Sequence, residues 1–410
     1  MEEEKINILK NNLNHIHSSG NSKNIGYAAV IIRAGSRYEP DNLNGLAHFM
    51  EHCLFKGTRK RRAHHIINRM EIVGAEMDAY TTKEFTCIYS VFMTQHLERA
   101  LELLSDIVFH SQFPHKEIEK EKNVVIDEIQ SYLDNPAEQI FEDFEEMIFQ
   151  NHSLAKSILG KVESVQRITS ADLNSFKSKF YTPENMVLST SCTVTEKKLS
   201  RLTEKYFGFF NGPTIAPFTG ENLSFKSERK KEEKSTFQTH YITGIPAYST
   251  HDEKRNTMLL LNNFLGGPAM NSRLNMNIRE KYGYTYHIES GYNAYSDVGL
   301  FYIYLGSDKK NINKIERLVY KELTDLKQKK LGEAQFKKAI QQFKGQVSIA
   351  SESTISQVLN RGKDLLVFGK LKSLEEVLAD LDLIGAKDLQ NVANEIFDLN
   401  NFSRLIFENN

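Results

Sequence analysis

Apolar residues recur along this chain in two rhythms, an alternation of period two and a stripe of period near 3.6, which separate strands from helices. Residues 6–17 and 26–34 read as the two strands of a hairpin, and Tyr27-Ala28-Ala29-Val30-Ile31-Ile32 is a continuous apolar run of strand length. A loop over 35–41 follows. Leu46, Ala47, Phe49, Met50, Leu54 and Phe55, uninterrupted by Pro or Gly, then predict a buried or half-buried helix. A second helix over 63–73 stops at Gly74. Strands are expected over 77–82 and 85–92, an amphipathic helix over 94–110, and a long helical stretch over 115–150 broken near Pro136. A helix over 168–180 and a strand over 186–193 complete this half.

The pattern lapses between 212 and 235, where a 213–217 loop and a dense charge run over 225–234 predict a solvated linker. Beyond it the order returns: strand over 237–243, apolar helix over 257–265, a helix containing Arg279 and Glu280, strands over 284–290 and 299–305, then helices. The second half repeats the plan of the first, with Leu259, Asn262 and Asn263 on the helix equivalent to 46–55. The expected architecture is α+β: two homologous domains, 1–211 and 236–410, each a mostly antiparallel sheet with helices packed on it, joined by the 212–235 linker.

Composition narrows the function classes. A length of 410 residues allows two or three domains with cores of their own, and a net charge of −1 offers no attraction to nucleic acid or to a membrane surface. Three scattered cysteines, Cys53, Cys87 and Cys192, make no disulfide framework and fit a reducing compartment. The acidic start has no apolar run behind it and does not read as a signal peptide. No stretch approaches the ~18 apolar residues of a membrane span. The protein is expected to be cytoplasmic.

The chemistry concentrates in the first apolar helix. His48, Glu51 and His52 form H-x-x-E-H, the inverted zinc-protease signature. On a helix these positions share a face, so two imidazoles can bind one zinc while the carboxylate reaches a water there. A catalytic zinc needs a third protein ligand. Glu121 and Glu128, seven apart and so on one face of the later long helix, offer carboxylates beside the packed run Val124-Val125-Ile126. Spacing alone leaves an exposed acidic edge equally open.

This constellation resembles the pitrilysin family, which includes insulin-degrading enzyme and the mitochondrial processing peptidase, and in length its bacterial processing-peptidase-like branch. The resemblance covers nearly the whole chain. It runs through Ala34-Gly35-Ser36-Arg37, the stretch from Glu51 to Thr58, Asp78-Ala79-Tyr80-Thr81, Glu121 with Glu128, and Ile158-Leu159-Gly160. It continues through the stretch from Tyr181 to Leu188 and that from Arg279 to Tyr286. The resemblance implies that His48, His52 and Glu128 hold one Zn2+ per chain, that Glu51 is the general base, and that Glu121 orients a ligand from outside. It further implies that Asp78, Ala79, Tyr80 and Thr81 form an edge strand pairing with a peptide substrate. Arg279 and Tyr286, the catalytic pair of the second half, would contact substrate near the scissile bond.

Relatives of this kind form a clam-like chamber, which at single length implies a homodimer sharing its active sites across protomers. The implied activity is that of a zinc endopeptidase acting on short or unfolded peptides. The competing readings are an inactive scaffold subunit of the same fold and a heteromeric partner. Three positions depart from the family pattern: Asp78 where Asn is common, Pro268 where a run of glycines continues, and Cys53, expected in the core, where Met is common.

Overall fold

The computed structural model describes residues 5–19, 22–214 and 218–409. Residues 215–217 of the expected 213–217 loop, and the first four residues of the acidic start, lie outside the described residues. The described chain falls into two compact units, each with one sheet.

In the first unit the strands are β1 (Lys5–Ile8), β2 (Asn14–Ser18), β3 (Ile25–Ile32), β4 (Glu76–Thr81), β5 (Thr86–Met93) and β6 (Met186–Ser191), in the order β1-β2-β6-β3-β5-β4. All pairings are antiparallel except that of β2 with β6. The expected hairpin is therefore different. Its first arm is itself a hairpin, β1 with β2, turning at Asn12 in the left-handed region, and β6 separates β2 from β3. Burial gives the reason: from Ala28 onward β3 is buried on both faces, which suits a central strand flanked on both sides. Ala28, Val30 and Ile32 face the main core with Phe49, Leu104 and Phe176. Ala29 and Ile31 face the helix Thr354–Phe368, where Gly362 meets Ile31 so closely that an added Cβ would lie 2.3 Å from its Cδ1.

The second sheet contains β7 (Arg229–Lys234), β8 (Thr239–Ala247), β9 (Thr285–Ala294), β10 (Gly299–Ser307) and β11 (Ser403–Asn409), in the order β7-β11-β8-β10-β9. Helices Arg255–Gly266, Ile312–Gln328 and Ala386–Ile396 share a core with one face. Helix Pro136–Ile148 covers the other, with Ile140, Phe144 and Ile148 against Ile242, Leu300, Leu405 and Phe407. Part of the expected linker is thus strand: Arg229–Lys234 pairs in parallel with β11. Six charged residues can form a strand there because it is an edge, where charge also discourages pairing with another chain.

The units are not consecutive stretches. The first takes 350–371 from the second half of the sequence, and the second takes 131–155 from the first half. The expected division at 211 and 236 runs along the chain, whereas the packing interleaves the halves.

Candidate metal and catalytic site

The helix Leu46–Leu54 is set by its apolar side. Leu46, Ala47, Phe49, Met50, Cys53 and Leu54 are all buried in the core of the first unit, so His48, Glu51 and His52 must lie along the remaining edge. The helix begins at Gly45, in the left-handed region with φ 92°, and has no side-chain cap at that residue. Its orphan amides are met from outside. Glu39 Oε2 accepts from Gly45 N at 2.9 Å and from Asn44 Nδ2 at 3.1 Å, while Glu39 Oε1 accepts from Ala47 N at 2.7 Å.

Glu128 comes from the separate helix His115–Leu133, whose Ile118, Val125 and Ile129 are buried. Its Oε2 lies 3.7 Å from His48 Nε2 and 3.4 Å from His52 Nε2. Ligands at 2.0–2.1 Å around a tetrahedral zinc are about 3.4 Å apart, so these spacings fit the ion. Among the described residues this is the one group of three His, Cys, Asp or Glu side chains gathered closely enough to hold a metal. Glu121, one face-repeat before Glu128, is buried and sits behind His52: its Oε1 is 3.0 Å from His52 Nδ1, and its Oε2 is 2.6 Å from Lys56 Nζ. His48 Nδ1 is buried with no hydrogen-bond partner.

Electrostatics differentiate these groups. Burial, with His52 alongside, brings the His48 imidazole down to about 3, so it stays neutral and able to ligate. Burial also pulls on His52, but the Glu121 hydrogen bond and the charges of Glu128, Glu121 and Glu51 outweigh it and leave His52 above its ordinary value. Glu121 is itself held low, because His52 and Lys56 overcome the opposing effect of burial. Glu51 is pushed up by burial, reinforced by the charges of Asp78 and Glu128 and opposed by Thr81 and His52. Thr81 donates its hydroxyl to Glu51 Oε2 at 2.5 Å.

That contact ties the carboxylate to β4, which carries Asp78, Ala79, Tyr80 and Thr81 at the free edge of the first sheet. Asp78 is exposed; its Oδ1 accepts from Ala79 N at 2.8 Å and its Oδ2 from the Tyr89 hydroxyl at 3.2 Å. Arg279 and Tyr286 belong to the second unit. Arg279 lies in the π-helical turn Asn275–Glu280, and Tyr286 stands on β9 with 88% of its surface exposed. Three participants were not evident beforehand: Glu39, Lys56 and the Thr81 hydroxyl. Lys56 carried a signal, four residues beyond His52 and so close to its turn.

Known proteins resemble this chain over most of its length. The family model described as Insulinase (Peptidase family M16) matches residues 16–162, and that described as Peptidase M16 inactive domain matches 167–343. "Uncharacterized zinc protease YmxG" of Bacillus subtilis is 32% identical over 369 residues, covering 90% of this chain and 89% of the relative. The chain belongs to peptidase family M16. A second relative, "Uncharacterized zinc protease SCO5738" of Streptomyces coelicolor, is 30% identical over 88% of this chain and 80% of its own length. The crystal structure of a protease from Helicobacter pylori shares the fold at a TM-score of 0.92 and 19% identity, covering 100% of both chains. His48, Glu51, His52, Glu121 and Glu128 fall within the first M16 match, and Arg279 and Tyr286 within the second. No described helix is long and apolar enough to cross a membrane.

Proposed function

We propose that this chain is a zinc-dependent endopeptidase that cleaves short or unfolded peptides. The observation that carries the reading is the convergence of His48, His52 and Glu128 at zinc-compatible spacing beside the raised carboxyl of Glu51. His48, His52 and Glu128 would hold one Zn2+ per chain, which would supply the Lewis acidity that activates water and polarises the peptide carbonyl. Glu51 accepts the proton of the attacking water and delivers it to the leaving nitrogen; a carboxyl raised towards neutrality suits both transfers. Thr81 fixes the Glu51 carboxylate by its hydroxyl, and Glu121 fixes the His52 ring. The free edge of β4, residues 78–81, receives the substrate backbone as an added strand. Arg279 holds a substrate carbonyl or carboxylate with its forked donors, and the Tyr286 hydroxyl donates to the developing oxyanion.

Substrate selection by size follows if the catalytic parts line a clam-like chamber formed by two copies of the chain, with Arg279 and Tyr286 of one protomer serving the metal of its partner. Three buried free thiols suit the cytoplasm. The test of the chemistry is Glu51→Gln: zinc is retained and peptide cleavage falls by at least a thousandfold, whereas cleavage at the wild-type rate removes Glu51 from the mechanism. The test of the assembly is to mix Glu51→Gln chains with Arg279→Ala chains. Recovered cleavage supports shared sites, and none argues against them.

A further inference from the structure

The helix that presents His48, Glu51 and His52 is only nine residues long and lacks a cap at its own N-cap residue. Glu39 meets that need from six residues upstream. Its side chain is buried with both oxygens engaged, and one of its donors is the amide of Ala47, the residue before His48. Burial pushes this carboxyl up to about 8, against the pull of the Ala47, Gly45 and Asn44 hydrogen bonds, and the capping group is in turn fastened. Lys156 Nζ donates to the Glu39 backbone carbonyl at 2.6 Å, and Asn44 Nδ2 donates both to Glu39 and to Ser157 O at 2.8 Å. The two backbones interlock there: a Cβ on Gly45 would lie 2.8 Å from Gly160 Cα, and one on Gly160 2.5 Å from Gly45 Cα.

The other end of the same helix is held by a second carboxylate, Glu121, through His52. Between them the two acids leave the short helix little freedom to slide or turn. That matters because the donor triangle is assembled from two independent helices. A residue's rise is about 1.5 Å, so a shift of a fraction of a residue spoils the 3.4 and 3.7 Å spacings to Glu128.

We infer that Glu39 is a positioning residue for the metal helix, acting as a remote N-cap that sets where along its axis His48, Glu51 and His52 stand relative to Glu128. This rests on the peptidase reading for the identity of the metal. It predicts a function for Glu39 beyond stability, since the side chain stands outside the donor triangle of His48, His52 and Glu128 yet governs zinc affinity and turnover.

The test is Glu39→Gln, whose amide keeps the shape but turns an NH2 donor towards N–H groups that Glu39 accepts from. Zinc affinity, measured by competition with a chromophoric chelator and no peptide present, should weaken about tenfold, at the lower end of what losing an outer partner costs. In the zinc-saturated variant kcat should fall with KM unchanged, because Glu51 is displaced while the β4 edge is not. A lowered urea midpoint with wild-type zinc affinity and wild-type kcat per zinc-loaded molecule would make Glu39 a stabiliser only and overturn the inference. Should Glu39→Gln fail to fold, Asn44→Ala carries the test. It loosens the same carboxylate and should weaken zinc binding about threefold, and unchanged affinity there overturns the inference equally. A protein that binds zinc, loses affinity in these variants and yet never cleaves a peptide would uphold Glu39 and refute the peptidase reading.

Discussion

Replacing Glu121 tests the part of the site that is fully on view. This carboxylate is 5% exposed and serves two donors, His52 Nδ1–H at 3.0 Å and the Lys56 ammonium at 2.6 Å. In Glu121→Gln the side-chain oxygen can still accept from His52. The bond is then neutral and roughly half as strong, and the amide nitrogen faces the Lys56 ammonium, donor to donor. In Glu121→Ala the ring loses its orienting partner altogether. Losing an outer carboxylate at a zinc histidine typically costs 10–100-fold in metal affinity, or about 1.4–2.8 kcal/mol. The glutamine variant should lie near the first figure and the alanine variant near the second. Chelator competition at neutral pH gives the affinities, and circular dichroism of the zinc-free proteins establishes that the fold is kept. Wild-type affinity in Glu121→Ala would refute the reasoning, because His52 would then be oriented without it.

Other perturbations reach further from the metal. Phe144 is completely buried on the helix that covers the second sheet, so Phe144→Ala should cost about 3–5 kcal/mol in urea unfolding, and a loss under 1 kcal/mol would contradict the packing. His15 is buried against Thr190, and burial followed by the proximity of His17 brings it down to about 3. The folded form then binds fewer protons than the unfolded chain between the ordinary histidine value and about 3. Its contribution is complete at neutral pH and falls as pH drops through that window. His15→Gln should therefore flatten the acid limb of the stability curve by up to about 1.4 kcal/mol per pH unit, and parallel limbs would show that His15 does not titrate this way.

Much of the site was legible because its cues are local. Spacing alone placed His48, Glu51 and His52 on one helical edge, since the apolar residues between them claim the other side. Pro136 marked a helix start where its missing N–H does no harm. Other features had no local cue. Glu39 caps a helix from outside the window where a cap is sought, and nothing in residues 39–45 announces the fold-back. The pairing of β2 with β6 joins residues more than 170 apart in sequence. β7 is a strand because β11 supplies a partner, not because of its own residues. The helices Pro136–Ile148 and Thr354–Phe368 are amphipathic, which predicts that each packs on a sheet but not which one.

The exchange of those two helices bears on how the chain acquires its structure as it is made. Ala29, Ile31 and Val187 are synthesised well before the side chains that shield them, Val358 and Leu365 among them. Until then one greasy surface of the first sheet stays open to water and to other nascent chains. The candidate metal ligands are thus translated long before the helix that completes the scaffold of their unit. Contacts so distant in sequence also slow folding. That late covering follows directly from where residues 354–368 were placed.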